Sequence, residues 1–165
     1  MGKNKQQIKK ITLLAVLSAA SMILSYVESI LPPILTTVPG IKVGLPNIIV
    51  IFILYRMGIS AAATVSLIRM FLTALLFGNP ISLIYSAAGA FLSLTVMTIL
   101  KKTDLFSVLG VSVAGGIFHN VGQILAAMVL LETAAIGYYL IILAMTGTLA
   151  GIFVGLCGAF LIRRL

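Results

Sequence analysis

The sequence predicts an all-α, polytopic membrane protein: a bundle of six transmembrane helices forming one domain, residues 1–165, with both termini in the cytoplasm. Three observations predict it. First, the 165-residue chain is 61% hydrophobic and only 8% charged, with a mean hydropathy of +1.25, whereas a soluble domain carries about 25% charged residues. Second, its apolar runs are separated by charges, prolines and glycines. Each crossing needs about 20 apolar residues, so short turns leave room for six crossings and no sizeable extramembrane domain. Third, the cations stand at the ends of those runs, the arrangement that orients membrane proteins. This composition argues against a water-soluble globule, a disordered tail or a nucleic-acid binder, despite a net charge of +8.

The first helix is predicted over Ile8 to Leu31, ending where Pro32-Pro33 cannot continue it. The basic stretch before it is like a signal peptide, but the apolar run is long and lacks a convincing cleavage site, so it reads as a retained helix. A short second helix follows over 45–57, with Pro46 in a favourable first-turn position; the irregular segment before it can supply part of that crossing. The third covers Ile59 to Phe77 and stops at Gly78-Asn79-Pro80, and the fourth runs from Ile81 to Leu100 and ends at Lys101-Lys102. The fifth spans Phe106 to Leu131 and the sixth Ala135 to Ile162.

With both termini inside, Lys3, Lys5, Lys9, Lys10, Arg56, Lys101, Lys102, Arg163 and Arg164 all face the cytoplasm. Only Lys42 lies outside, and Arg69 remains in mid-membrane. The reversed orientation would put those nine cations outside, against the positive-inside bias. The bundle is therefore expected in the cytoplasmic membrane.

The longest irregular stretch, LPPILTTVPGIKVG from Leu31 to Gly44, holds three of the five prolines yet is mostly apolar. It reads either as an outer loop that packs back over a cavity or as a stiff connector at the lipid interface. On the sixth helix Gly147, Gly151, Gly155 and Ala159 recur every fourth residue, a smooth ridge that lets another backbone approach closely. The spacing does not say whose backbone that is. Ala15 and Ala19 stand in the same relation on the first helix, where internal packing would explain them equally well.

An ionisable group at membrane depth is costly and marks a functional hypothesis. The candidates are Glu28 near the outer end of the first helix, Asn47 at the outer end of the second, and Arg69 near the midplane of the third. His119, Asn120 and Gln123 follow on the fifth, with Lys42 at the outer mouth. His119 and Gln123 share a helix face by their i,i+4 spacing. Together they imply a polar pocket in the outer half with Arg69 at its floor. Arg69, helped by His119 or Lys42, would hold a carboxylate or phosphate while Asn47, Asn120 and Gln123 orient the rest of a small-molecule anion. The alternative is a Glu28–Arg69 ion pair joining helices, with the amides as interhelical hydrogen bonds.

Catalysis finds little support. The three acids, Glu28, Asp104 and Glu132, lie on different segments. One histidine and the lone Cys157 cannot build a conventional zinc site, so neither a metal nor a cofactor is expected. There is no glycine-rich nucleotide loop to power transport and no run of aspartates to hold the magnesium ions of a prenyl-diphosphate enzyme.

Four runs carry a resemblance: LSYVESILPPI (Leu24 to Ile34), VPGIKVGLPNIIV (Val38 to Val50), LIRMFLTALLFGNP (Leu67 to Pro80) and GVSVAGGIFHNVGQILAA (Gly110 to Ala127). In this order, over nearly the whole chain, they resemble the bacterial family called heptaprenyl diphosphate synthase component I, also labelled Gx transporter. The sequence departs from it at Pro46, where a small residue such as Ala is expected. That family is in turn similar to the substrate-binding S components of energy-coupling factor (ECF) transporters, which capture a small molecule outside and dock onto a transmembrane coupling subunit and an ATPase pair. The resemblance implies that Ala15 and Ala19 form the docking motif and that the stretch from Leu31 to Gly44 is the gating loop. It implies an amphipathic anion as ligand, such as a quinone or isoprenoid precursor. A noncatalytic membrane subunit or anchor of a prenyl synthase or redox complex is the alternative.

Overall fold

The computed structural model describes residues 2–31, 44–78 and 80–164. It is all-helical, with no strand among the described residues. α1 runs Lys3–Ile30, α2 Asn47–Arg56, α3 Ile59–Leu76, α4 Pro80–Lys102, α5 Val108–Leu130 and α6 Leu140–Arg164. Five helical segments are long and apolar enough to cross a membrane. The exception is α2, whose ten residues span about 15 Å, half the ~30 Å of a bilayer's hydrocarbon core.

The boundaries follow local chemistry. α1 starts earlier than its apolar run because the polar residues from Lys3 onward also wind helically, and it stops at Leu31, which is extended (φ −71°, ψ 138°). A residue before proline is driven out of the helical region. Pro46 sits buried just ahead of α2, and its carbonyl accepts from Ile49 N–H at 3.1 Å. The α2–α3 turn depends on Gly58 at φ +89°, where its N–H and that of Met57 both donate to the Ile53 carbonyl. At the start of α5 the Ser107 hydroxyl accepts from Gly110 N–H at 3.2 Å. One expectation is corrected. Residues Ala134–Tyr139 form a 3-10 turn rather than the first turns of α6. It follows the tight turn at Glu132 (φ +50°), and 3-10 winding is common where a helix begins.

α5 is the central post, packed against α4 on one side and α6 on the other. Glycines bring the backbones together. A Cβ at Gly151 would lie 2.6 Å from Val113 Cα, and one at Gly122 would lie 2.6 Å from the Ala88 carbonyl oxygen. The α6 ridge of Gly147, Gly151 and Gly155 therefore meets an internal neighbour, α5.

The main apolar core lies at the end of the bundle where α2 and α4 finish. Val50, Ile53, Leu54, Val65 and Val111 are buried there, with Leu14 and Leu17 of α1 packed against them. Lys101 closes that end: its Nζ donates to the Leu54 carbonyl at 2.7 Å and stands 5.0 Å from the centre of the Tyr55 ring. A cation there also satisfies the negative end of the α2 dipole. Because α2 is so short, its N-terminus lies inside the bundle. A Cβ at Gly44 would be 3.8 Å from Cγ2 of Val154, midway along α6.

Candidate functional site

The six helices enclose a cavity of about 290 Å³. Glu28 of α1, Asn47 of α2, Arg69 of α3 and His119, Asn120 and Gln123 of α5 all line it. Lys42 lies outside the described residues. The convergence follows from helical spacing. Ser112, Gly115, His119 and Gln123 recur every three or four residues along one face of α5, and Ser18, Ser21, Ser25 and Glu28 do the same on α1. Each such stripe turns its polar members away from lipid.

The Glu28–Arg69 ion pair of the alternative reading is not formed among the described residues. The Glu28 carboxylate instead accepts from Gly44 N–H at the start of α2. Two features hold that contact. Gly44 has φ +79°, a conformation that favours glycine, and the amide end of a helix carries partial positive charge that attracts a carboxylate. Arg69 is left with weaker partners. Its Nη1 lies 3.4 Å from the Ser25 hydroxyl, and its buried Nε has no hydrogen-bond partner. The Thr73 hydroxyl, one turn further along α3, is likewise buried without a partner.

The α5 group divides its labour. Asn120 Nδ2 donates to the Leu143 carbonyl at 2.6 Å, tying α5 to α6, so its amide donor is already engaged as an interhelical bond. His119 is fitted against α4: a Cβ at Gly89 would lie 2.7 Å from the His119 carbonyl oxygen and 3.0 Å from its Cε1.

Arg69 is not the floor. The cavity continues inward to Ser93 and Met97 of α4 and Ser112 of α5. From Ser82 to Met97 its α4 wall is about 22 Å long. Sequence reasoning missed the α4 contribution altogether: Ser82, Tyr85, Ser86, Ser93 and Met97 all face the cavity. Ser82, Ser86, Ser93 and Met97 keep helical spacing, but serine is unremarkable in a membrane helix and carries little signal. α6 supplies Gly147, Ala150, Gly151 and Val154.

On α1 the two faces separate cleanly. Ser18, Ser21 and Ser25 are buried, whereas Ala15 and Ala19 are exposed on the outer surface. The alanine pair therefore takes no part in internal packing.

The family model described as Heptaprenyl diphosphate synthase component I matches residues 17–161. The chain belongs to this family. The match contains every cavity-lining residue named above and Ala19, but stops short of Ala15. Comparisons with curated proteins and with solved structures give no match. The family is named as a component of a synthase, and the chain's long apolar helices are those of a multi-pass membrane protein.

Proposed function

We propose that this protein is the substrate-binding subunit of an ECF-type importer in the cytoplasmic membrane, capturing a small amphipathic anion and performing no catalysis itself. The observation that carries the reading is Arg69. It lines a cavity reached by all six helices, forms no ion pair among the described residues, and keeps a buried Nε without a partner. A buried cation is costly unless an anion offsets it, and Glu28 is committed to α2. A carboxylate or phosphate on the guanidinium, with His119 and Gln123 beside it, satisfies that demand. Both termini are cytoplasmic in this reading. Ala15 and Ala19, exposed on α1, form the face that docks onto a transmembrane coupling subunit driven by an ATPase pair. The exposed pair favours a helical partner because small residues let a second backbone come close.

Arg69→Lys tests the anion clamp. It keeps the charge but loses the planar fork that matches a carboxylate or phosphate. Native mass spectrometry of the purified protein identifies what it retains, and titration of that molecule is expected to show at least tenfold weaker binding to folded Arg69→Lys. Equal affinity would remove Arg69 from the site.

The family name favours a second reading, a noncatalytic membrane subunit or anchor of a prenyl diphosphate synthase or a redox complex. Co-purification with a soluble synthase, and no retained small molecule, would decide for it.

A further inference from the structure

We infer that the ligand is elongated and straddles Arg69: its acidic group sits on the guanidinium, its polar part faces the mouth, and a slender apolar tail descends into the chamber beneath. This rests on the anion-capture reading above and adds the shape and polarity of the molecule captured.

The two ends of the cavity differ in chemistry. Toward the mouth the walls are Ser82, Tyr85 and Gln123, which offer hydroxyls and an amide, while Asn47 sits deeper, at the level of Val154. Beneath Arg69 they are Ile51, Met97 and Val154, with the backbones of Gly115 and Gly151 between them. Ser93 and Ser112 also border this lower chamber, but a serine on a helix can turn its hydroxyl onto the carbonyl four residues back, so they do not require a polar guest. The cavity, about 290 Å³, extends along roughly 22 Å of α4, so it is longer than a compact anion needs.

The chamber's width is set by backbone. At Gly151 a side chain would strike Val113 Cα at 2.6 Å, so α5 and α6 present a flat, fixed wall. The floor is softer. A Cβ at Gly115 would lie 2.6 Å from Met97 Sδ, so the thioether itself closes the lower end, and methionine repacks readily. A rigid wall with an adaptable floor selects for thinness and tolerates some variation in tail length.

The test uses the full chain in lipid nanodiscs, with Arg69→Gln protein as the reference for partitioning into lipid. The probes are inorganic phosphate, butyl phosphate and octyl phosphate, with acetate, butanoate and octanoate alongside, followed by calorimetry. Affinity is expected to climb about fourfold per methylene while the tail fills the chamber, then level off. Ser93→Leu fills the chamber and is expected to abolish at least tenfold of the octyl advantage, leaving the short anions unaffected. Ser93→Val serves in its place if the larger residue prevents folding. Affinities that do not change with tail length, or an octyl advantage untouched in the folded variant, would overturn the inference and leave the anion clamp standing. If no anion of either series binds wild type better than Arg69→Gln, the capture reading itself fails and takes this inference with it.

Discussion

Glu28→Gln removes one charge from the contact that anchors α2 inside the bundle. In the native protein the Glu28 carboxylate accepts from Gly44 N–H. A hydrogen bond to a charged group contributes about 1.5–3 kcal/mol, against about 0.5–1.5 for a neutral one. The carboxylate also faces the positive end of the α2 dipole, worth about 0.3–1 kcal/mol more. Glutamine keeps the shape and an acceptor oxygen, so the expected loss is about 1–2 kcal/mol. For a chain of this size that lowers the melting temperature by about 3–6 °C. Glu28→Ala leaves the Gly44 N–H unpaired and is expected to cost more, about 2–3 kcal/mol. The assay is thermal unfolding in detergent, run as a double-mutant cycle with Arg69→Gln. Glu28 and Arg69 form no direct ion pair but still act on each other electrostatically across the cavity, so their coupling is expected to stay near or below about 1 kcal/mol. Glu28→Gln melting with wild type, or a coupling of about 2 kcal/mol or more, would refute the anchoring argument and return Glu28 to Arg69 as its counterion.

Other predictions follow from the packing and the exposed faces. Gly151→Ala drives a methyl into the backbone of α5 and is expected to cost about 3 kcal/mol or more, whereas Gly137→Ala meets only the end of the Met128 side chain and should cost less than about 1 kcal/mol; paired melting curves compare them. Ala19→Trp, on the exposed face of α1, should cut recovery of the coupling subunit at least tenfold while binding of the retained small molecule stays at wild-type affinity. Unchanged recovery would make that face a lipid contact. Single cysteines at Lys102 and Arg164, in a Cys157→Ser background, should react with membrane-impermeant reagent only after the cells are opened. Labelling of either in intact cells would invert the topology.

The residues that sequence reading found were those whose presence in a membrane is costly. Glu28, Asn47, Arg69, His119, Asn120 and Gln123 are conspicuous because lipid cannot solvate them, and for the same reason they turn inward to one cavity. Ser93, Met97 and the α4 hydroxyls went unnoticed because either lipid or a cavity tolerates them. The partner of Glu28 was also hidden. The opposite charge on Arg69 made it the obvious choice, but the Gly44 amide holds the carboxylate, and a backbone N–H leaves no trace in composition.

The all-helical, membrane-compatible fold and the polar set that lines the cavity were thus legible in the sequence itself, since hydrophobicity and charge placement act residue by residue against a bilayer. Pairings were decided only by the tertiary structure. The α6 glycine ridge announced a close neighbour without naming α5, because a small residue is equally suited to any backbone. The Ala15–Ala19 pair, with the same spacing, came to face outward. Which small-residue stripe is buried depends on how whole helices rotate to bury their costliest side chains, and on α1 the serine stripe and Glu28 took the inner face.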